Sequence, residues 1–150
     1  MKDRFRNYWA VPLFAFFVFV TQFSAQTFTT LHSFSEPVAE NYGDVVVLTN
    51  GDGIQPSSGL IVYSNTLYGT APNGGSSDGG TVFKVNIDGT GFSTLHSFLG
   101  TNDGFGPFAG LIASSNMLYG TAPDGGSWRN GTVFRLGTDG TGFITLHNFT

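Results

Sequence analysis

Three histidines, His32, His96 and His147, are the only ones in the chain, and a trio of imidazoles is a donor set that zinc accepts. Each sits in the same local text, Thr-Leu-His followed one residue later by Phe, so the three recur rather than converge. Residues repeated once per structural unit lie around an array, too far apart to meet one ion at about 2 Å. Their expected role is packing or backbone bonding between units, and no metal ligand is assigned. Asp52, Asp88, Asp103 and Asp139 each precede a glycine, and Asn50-Gly51-Asp52-Gly53 and Asn102-Asp103-Gly104 have the outline of calcium loops. An EF-hand loop needs alternating oxygen ligands and a distal bidentate Glu, which neither window supplies, so turn chemistry is the better reading.

Other catalytic patterns fail for similarly local reasons. No Gly-x-Ser-x-Gly elbow presents a serine nucleophile. Glu36, Glu40 and Asp44 are the clustered acids that a glycoside-cleaving pair would have to come from, with nothing in the spacing to set their separation. The glycine clusters Asn73-Gly74-Gly75-Ser76 and Asp124-Gly125-Gly126-Ser127 follow strands but open no helix and lack the Lys-Ser/Thr ending of a phosphate loop. No catalytic residue and no cofactor site is assigned.

The elements that carry these residues come from a duplication. Asp52–Phe98 aligns without gaps on Asp103–Phe149 with about 30 identities in 47 positions, giving a unit of about 51 residues. Each unit divides at its turn residues into four short apolar stretches, in the first unit Gly59–Tyr63, Thr66–Thr70, Thr81–Val85 and Phe92–Phe98. Ser64-Asn65 and Asp88-Gly89 supply tight connections, because Asn and Gly accept the positive φ of a narrow hairpin. The 22 glycines, 16 phenylalanines and 11% charged residues agree with many short strands and disfavour helices.

The expected fold is all-β: four-stranded antiparallel blade repeats, β-propeller-like and incomplete at about two and a quarter blades. Residues 1–26 are read as a signal peptide, from the basic Lys2, Arg4 and Arg6, the apolar run Trp9–Val20 and the small, polar stretch Thr21–Gln26. That run is shorter than the roughly 20 residues of a spanning helix. Within 27–150, residues 27–34 form an orphan fourth strand, 35–58 a long connection, 59–98 the first blade, 99–109 a connection and 110–149 the second blade. Closure needs about four blades or more, so the chain reads as a fragment or truncated product, with self-assembly into a ring as the lesser reading. Two open apolar blade faces and an unpaired edge at Phe28–Phe34 predict self-association or partial unfolding when the chain is isolated.

The words Leu-Tyr-Gly-Thr, Gly-Thr-Val-Phe, Asp-Gly-Thr-Gly-Phe and Leu-His-Ser-Phe resemble the choice-of-anchor tandem-repeat proteins called GloVer-containing. The resemblance covers nearly everything after the signal. It implies an exported bacterial repeat protein of propeller-like form, in many members tethered by a C-terminal anchor, and it brings no activity and no catalytic residues. Against that pattern, the sequence is read as carrying few repeats and no C-terminal anchor.

Charge narrows the partners. After removal of the signal, Lys84, Arg129 and Arg135 face nine acids, leaving a chain near −6 without the basic stripe that nucleic acid requires. Cysteine is absent, which removes disulfides and thiolate metal sites. Differences between the units concentrate in the loops between second and third strands, where Ser77-Asp78-Gly79 becomes Trp128-Arg129-Asn130, and in the first inter-blade connection, about 13 residues longer than the second. In a blade these segments share one side, and variation on a fixed scaffold builds binding surfaces.

The expected function is therefore an exported or cell-surface binding module, with Asn73, Asp78, Asp124, Trp128, Arg129 and Asn130 as ligand-contact candidates. The expected partner is an extracellular glycan or protein, with no nucleic acid and no membrane span once the signal is removed. The alternatives are a structural spacer or a fragment of a longer propeller, and after them an enzyme acting on extracellular polysaccharide.

Overall fold

The computed structural model describes residues 26–150; the segment read as a signal peptide, residues 1–26, lies outside the described residues except for Gln26. The fold is all-β, with eleven strands among the described residues. In the first unit β3 (Ile61–Tyr63), β4 (Thr66–Ala71), β6 (Thr81–Asn86) and β7 (Ser93–Ser97) form an antiparallel sheet in the order β3-β4-β6-β7. The second unit repeats it with β8 (Ile112–Ser114), β9 (Met117–Ala122), β10 (Thr132–Gly137) and β11 (Ile144–Asn148), adjacent in chain order. Neither sheet closes on itself.

The four expected stretches of the first unit coincide with its four strands to within two residues at either end. The first hairpin of each unit turns on two residues of positive φ, Ser64 and Asn65 at 48° and 61°, Ser115 and Asn116 at 50° and 62°. Left-handed values at both central positions match the right-handed twist of the flanking strands. The outer hairpins turn on Asp88-Gly89-Thr90 and Asp139-Gly140-Thr141. In each, the carboxylate accepts from the threonine amide and hydroxyl, at 2.9 and 2.7 Å for Asp88 and 3.0 and 2.8 Å for Asp139. Those bonds hold both carboxyls below the usual 3.8.

Two segments differ from the sequence expectation. The stretch 35–58, read as a connection, contains a hairpin of β1 (Val38–Tyr42) and β2 (Val45–Ile54), and β2 also pairs with β5 (Asn73–Gly75) in the loop of the first unit, making a three-stranded sheet. The stretch Phe28–Phe34, read as an orphan fourth strand, is assigned to no strand. Fourth strands pair with third strands, and both edges of β6 are already taken by β4 and β7. The segment docks through its side chains instead.

Alternation along the strands gives each sheet two apolar faces. Leu111, Leu118, Phe134 and Leu136 form the leading face of the second unit. It packs on the trailing face of the first, where Tyr68, Val82 and Phe98 are buried. This seam is the main core. Gly69 and Gly120 let Phe83 and Phe134 lie against the neighbouring strand, since a Cβ there would sit 2.6 and 2.5 Å from the ring tip.

Candidate functional site

The seam between units holds one of the three histidines. His96 stacks on Phe143 of the next unit, ring centroids 3.8 Å apart and planes within 8°. Its Nε2 lies 3.3 Å from Asp103 Oδ2, which also accepts the Leu99 amide at 2.9 Å. Burial holds the His96 imidazole below its ordinary 6.5, against the pull of Asp103. His32 repeats the pattern, stacked on Phe92 at 3.5 Å and 7°, with Nε2 3.3 Å from Asp52 Oδ2. Burial raises the Asp52 carboxyl, but hydrogen bonds from the Ser35 hydroxyl and amide, joined by His32, outweigh it and leave the group low.

Asp52 and Asp103 are therefore more than turn residues: each carboxylate ties a unit to the chain that precedes it. Although Ser35, His32 and Asp52 come together, hydroxyl and imidazole both meet the same carboxylate oxygen. Nucleophilic catalysis needs the serine on the imidazole, an arrangement not found here. Among the described residues no group of three or more His, Asp or Glu side chains is placed to hold a metal ion.

The connections and the loops between second and third strands gather on one side. Asn50 and Ile54 of β2 pair with Gly75 and Asn73 in the loop of the first unit. The second connection bridges both loops: Phe105 pairs with Asp124 of the second unit, and the Gly106 amide donates to Gly79 O of the first at 2.9 Å. Thr81 and Thr132, both fully buried, donate to the carbonyls of Asp52 and Asp103 at 2.9 and 3.1 Å, fixing the connections to the sheets.

Between the hairpin and the first loop lies a groove of about 430 Å³, with Glu40, Thr49, Asn50, Ser76 and Ser97 among its walls. A second hollow of about 230 Å³ adjoins it, sharing Glu40, Thr49 and Ser76 and adding Ser77 and Val47. Among apolar surface the lining sets the hydroxyls of Thr49, Ser76 and Ser97, groups that a ligand offering hydroxyls can meet. The second unit has no counterpart because its connection is too short to form the hairpin. Of the clustered acids, only Glu40 lines this groove; Glu36 and Asp44 are exposed.

The six sequence candidates divide between the two loops, and none lines the hollows just described. Asp78 is occupied within its loop, its Oδ1 accepting the Gly74 amide at 2.7 Å, and Asn73 donates to Gln55 Oε1 at 3.0 Å. In the second unit Asp124 is engaged through its backbone with Phe105. Trp128 is 67% exposed at the loop tip. Arg129 beside it takes φ 61°, the position Asp78 occupies at 54°, and its guanidinium makes no ion pair among the described residues. Asn130 is exposed and bridges to Gly125.

Sequence reasoning missed Thr49, Asn50, Ser76 and Ser97 as groove residues. The only available signal was the extra length of the first connection.

A family model described as Gloeobacter/Verrucomicrobia repeat matches residues 17–150. No curated protein and no solved structure matches the chain.

Proposed function

We propose, from the premise that this chain belongs to the Gloeobacter/Verrucomicrobia repeat family, that it is an exported, propeller-like binding module. Its ligand sits on the side where the inter-unit connections meet the loops between second and third strands. The observation that carries this reading is that convergence: the hairpin of the first connection walls a groove against Ser76 and Ser97, and the repeat-equivalent loop of the second unit displays Trp128 and Arg129.

A glycan is the favoured ligand. Thr49, Ser76 and Ser97 set hydroxyls along the groove, those of Ser76 and Ser97 bonded to each other at 3.1 Å, Glu40 adds one carboxylate, and an exposed indole gives a flat apolar surface for a sugar ring. Export is supported by the basic-then-apolar N-terminus read from Lys2 to Gln26. The propeller-like reading is supported by two consecutive four-stranded meanders packed face to face.

A glycan array probed with the full chain, alongside pull-down from cell-surface extracts, tests the proposal. Retention of a defined glycan class is the expected result. Exclusive capture of a protein would replace the glycan by a protein partner, and binding of neither would remove the binding function.

A further inference from the structure

The two ends of the array do not match the seam between its units. In the seam, Ile61, Tyr68, Thr70 and Val82 of the first unit are covered by the second, with Tyr68 5% and Val82 0% exposed. The Thr70 hydroxyl donates across to Ala109 O at 3.1 Å. The same positions of the second unit, Ile112, Tyr119, Thr121 and Val133, line an open apolar hollow of about 240 Å³, with Ile112 68% exposed. His147 keeps its edge contact to Phe149 at 4.8 Å, as His96 does to Phe98. Among the described residues, however, it has neither the stacked ring nor the carboxylate that His96 has.

At the opposite end the leading face of the first unit is only partly covered. His32 and Phe34 lie on Phe92 and Phe83, but Leu60 remains 51% exposed where its equivalent Leu111 is 3% exposed. A hollow of about 360 Å³ remains there, bounded by Phe28, Leu31, Pro56 and Leu60 among others.

We propose that a second copy of this chain docks on the open trailing face of the second unit, presenting the leading face of its own first unit and releasing its own segment 28–34. The interface this would form already exists once in the molecule, between units related by about 30 identities in 47 positions. What His147 lacks, a ring to stack on and a carboxylate to meet Nε2, the second copy supplies as Phe92 and Asp52. What the released segment loses is matched: His147 and Phe149 take the places of His32 and Phe34. No strand ladder opposes the exchange: 28–34 is held by the rings of His32 and Phe34, by the His32–Asp52 contact and by apolar side chains such as Leu31, and the bonds of Ser35 lie just beyond it. The contact is head to tail, so copies close into a ring or extend, according to the rotation per copy.

Light scattering on the full chain over a dilution series, with two single variants at exposed positions, tests this. Ile112→Arg blocks the trailing face and Leu60→Arg the leading face. The wild type is expected to rise from one chain mass of 16.0 kDa to multiples of it with concentration, and each variant alone to stay at one. Mixed in equal amounts, the variants are expected to form a two-chain complex and nothing larger, since each retains the face the other has lost; that complex also shows that both fold. A wild type that stays single at every concentration, as when these faces serve a further unit of one polypeptide, overturns the proposal. So do variants that associate as the wild type does.

Discussion

His96 lies flat on Phe143 with ring centroids 3.8 Å apart, and His32 lies on Phe92 at 3.5 Å in the same orientation. Phe143 also packs against Phe134 and edge-on to Phe98, so this one ring joins both units. Phe143→Ala should lower stability by about 3 kcal/mol, the lower end for truncating a packed ring. His147→Ala, at the repeat-equivalent position without a stacked partner, should change it by under about 0.5 kcal/mol at dilutions where the chain is single. Urea melts of the two variants give the contrast, and equal effects would mean the stack is incidental.

Thr132 is fully buried and its hydroxyl donates to Asp103 O. Thr132→Val keeps the shape but leaves that carbonyl short of a donor, so a loss of about 1–2 kcal/mol is expected. A melt unchanged within about 0.5 kcal/mol would show that the carbonyl finds another donor.

Gly104 takes φ 106°, and a Cβ there would stand 2.5 Å from Thr132 Oγ1 and 2.6 Å from Ala122 Cβ. Gly142 is also left-handed at 65° but meets nothing within 4 Å. Gly142→Ala should therefore show backbone strain only, about 1 kcal/mol, and Gly104→Ala distinctly more because the connection must also move. Thermal melts rank the two, and the reverse order would contradict the close approach of connection and sheet.

The pH dependence follows from His96, packed among Phe98, Phe143 and the Asp103 carboxylate. Burial lowers its pKa on folding, so as pH falls the unfolded chain takes the proton first. The His96 contribution is complete above the ordinary 6.5, declines as pH falls toward the lowered folded value, and is level below that. Between about pH 7.5 and pH 5, the melting temperature of the wild type should fall more than that of His96→Gln. Parallel curves would refute a buried neutral imidazole.

Much of the fold was legible because the duplication repeats its own punctuation. Ser64-Asn65 and Ser115-Asn116, or Asp88-Gly89 and Asp139-Gly140, mark the same hairpins twice. The hairpin Val38–Ile54 was not read because it has no copy in the second unit to set against it, although Gly43-Asp44 before Val45-Val46-Val47 is a turn followed by a β-branched run. The pairing of His with Asp was hidden by spacing: His32 and Asp52 are 20 residues apart, His96 and Asp103 only 7. Phe28–Phe34 carries the text of a fourth strand, but β6 already has two neighbours. For the candidate site, the loops were visible as places of variation. The groove was not, since Thr49 and Ser76 meet only after β2 pairs with β5.

The binding side is tested most directly by exchanging one loop tip for its repeat equivalent, turning Trp128-Arg129-Asn130 into Ser-Asp-Gly through W128S, R129D and N130G. The first unit carries that text at the same place, with Asp78 and Arg129 sharing left-handed φ, so the exchange should leave the urea melt within about 0.5 kcal/mol. Affinity for the glycan best retained on the array is predicted to fall at least about tenfold, or about 1.4 kcal/mol. Unchanged affinity in a normally folded exchange variant would contradict a binding surface at these loops.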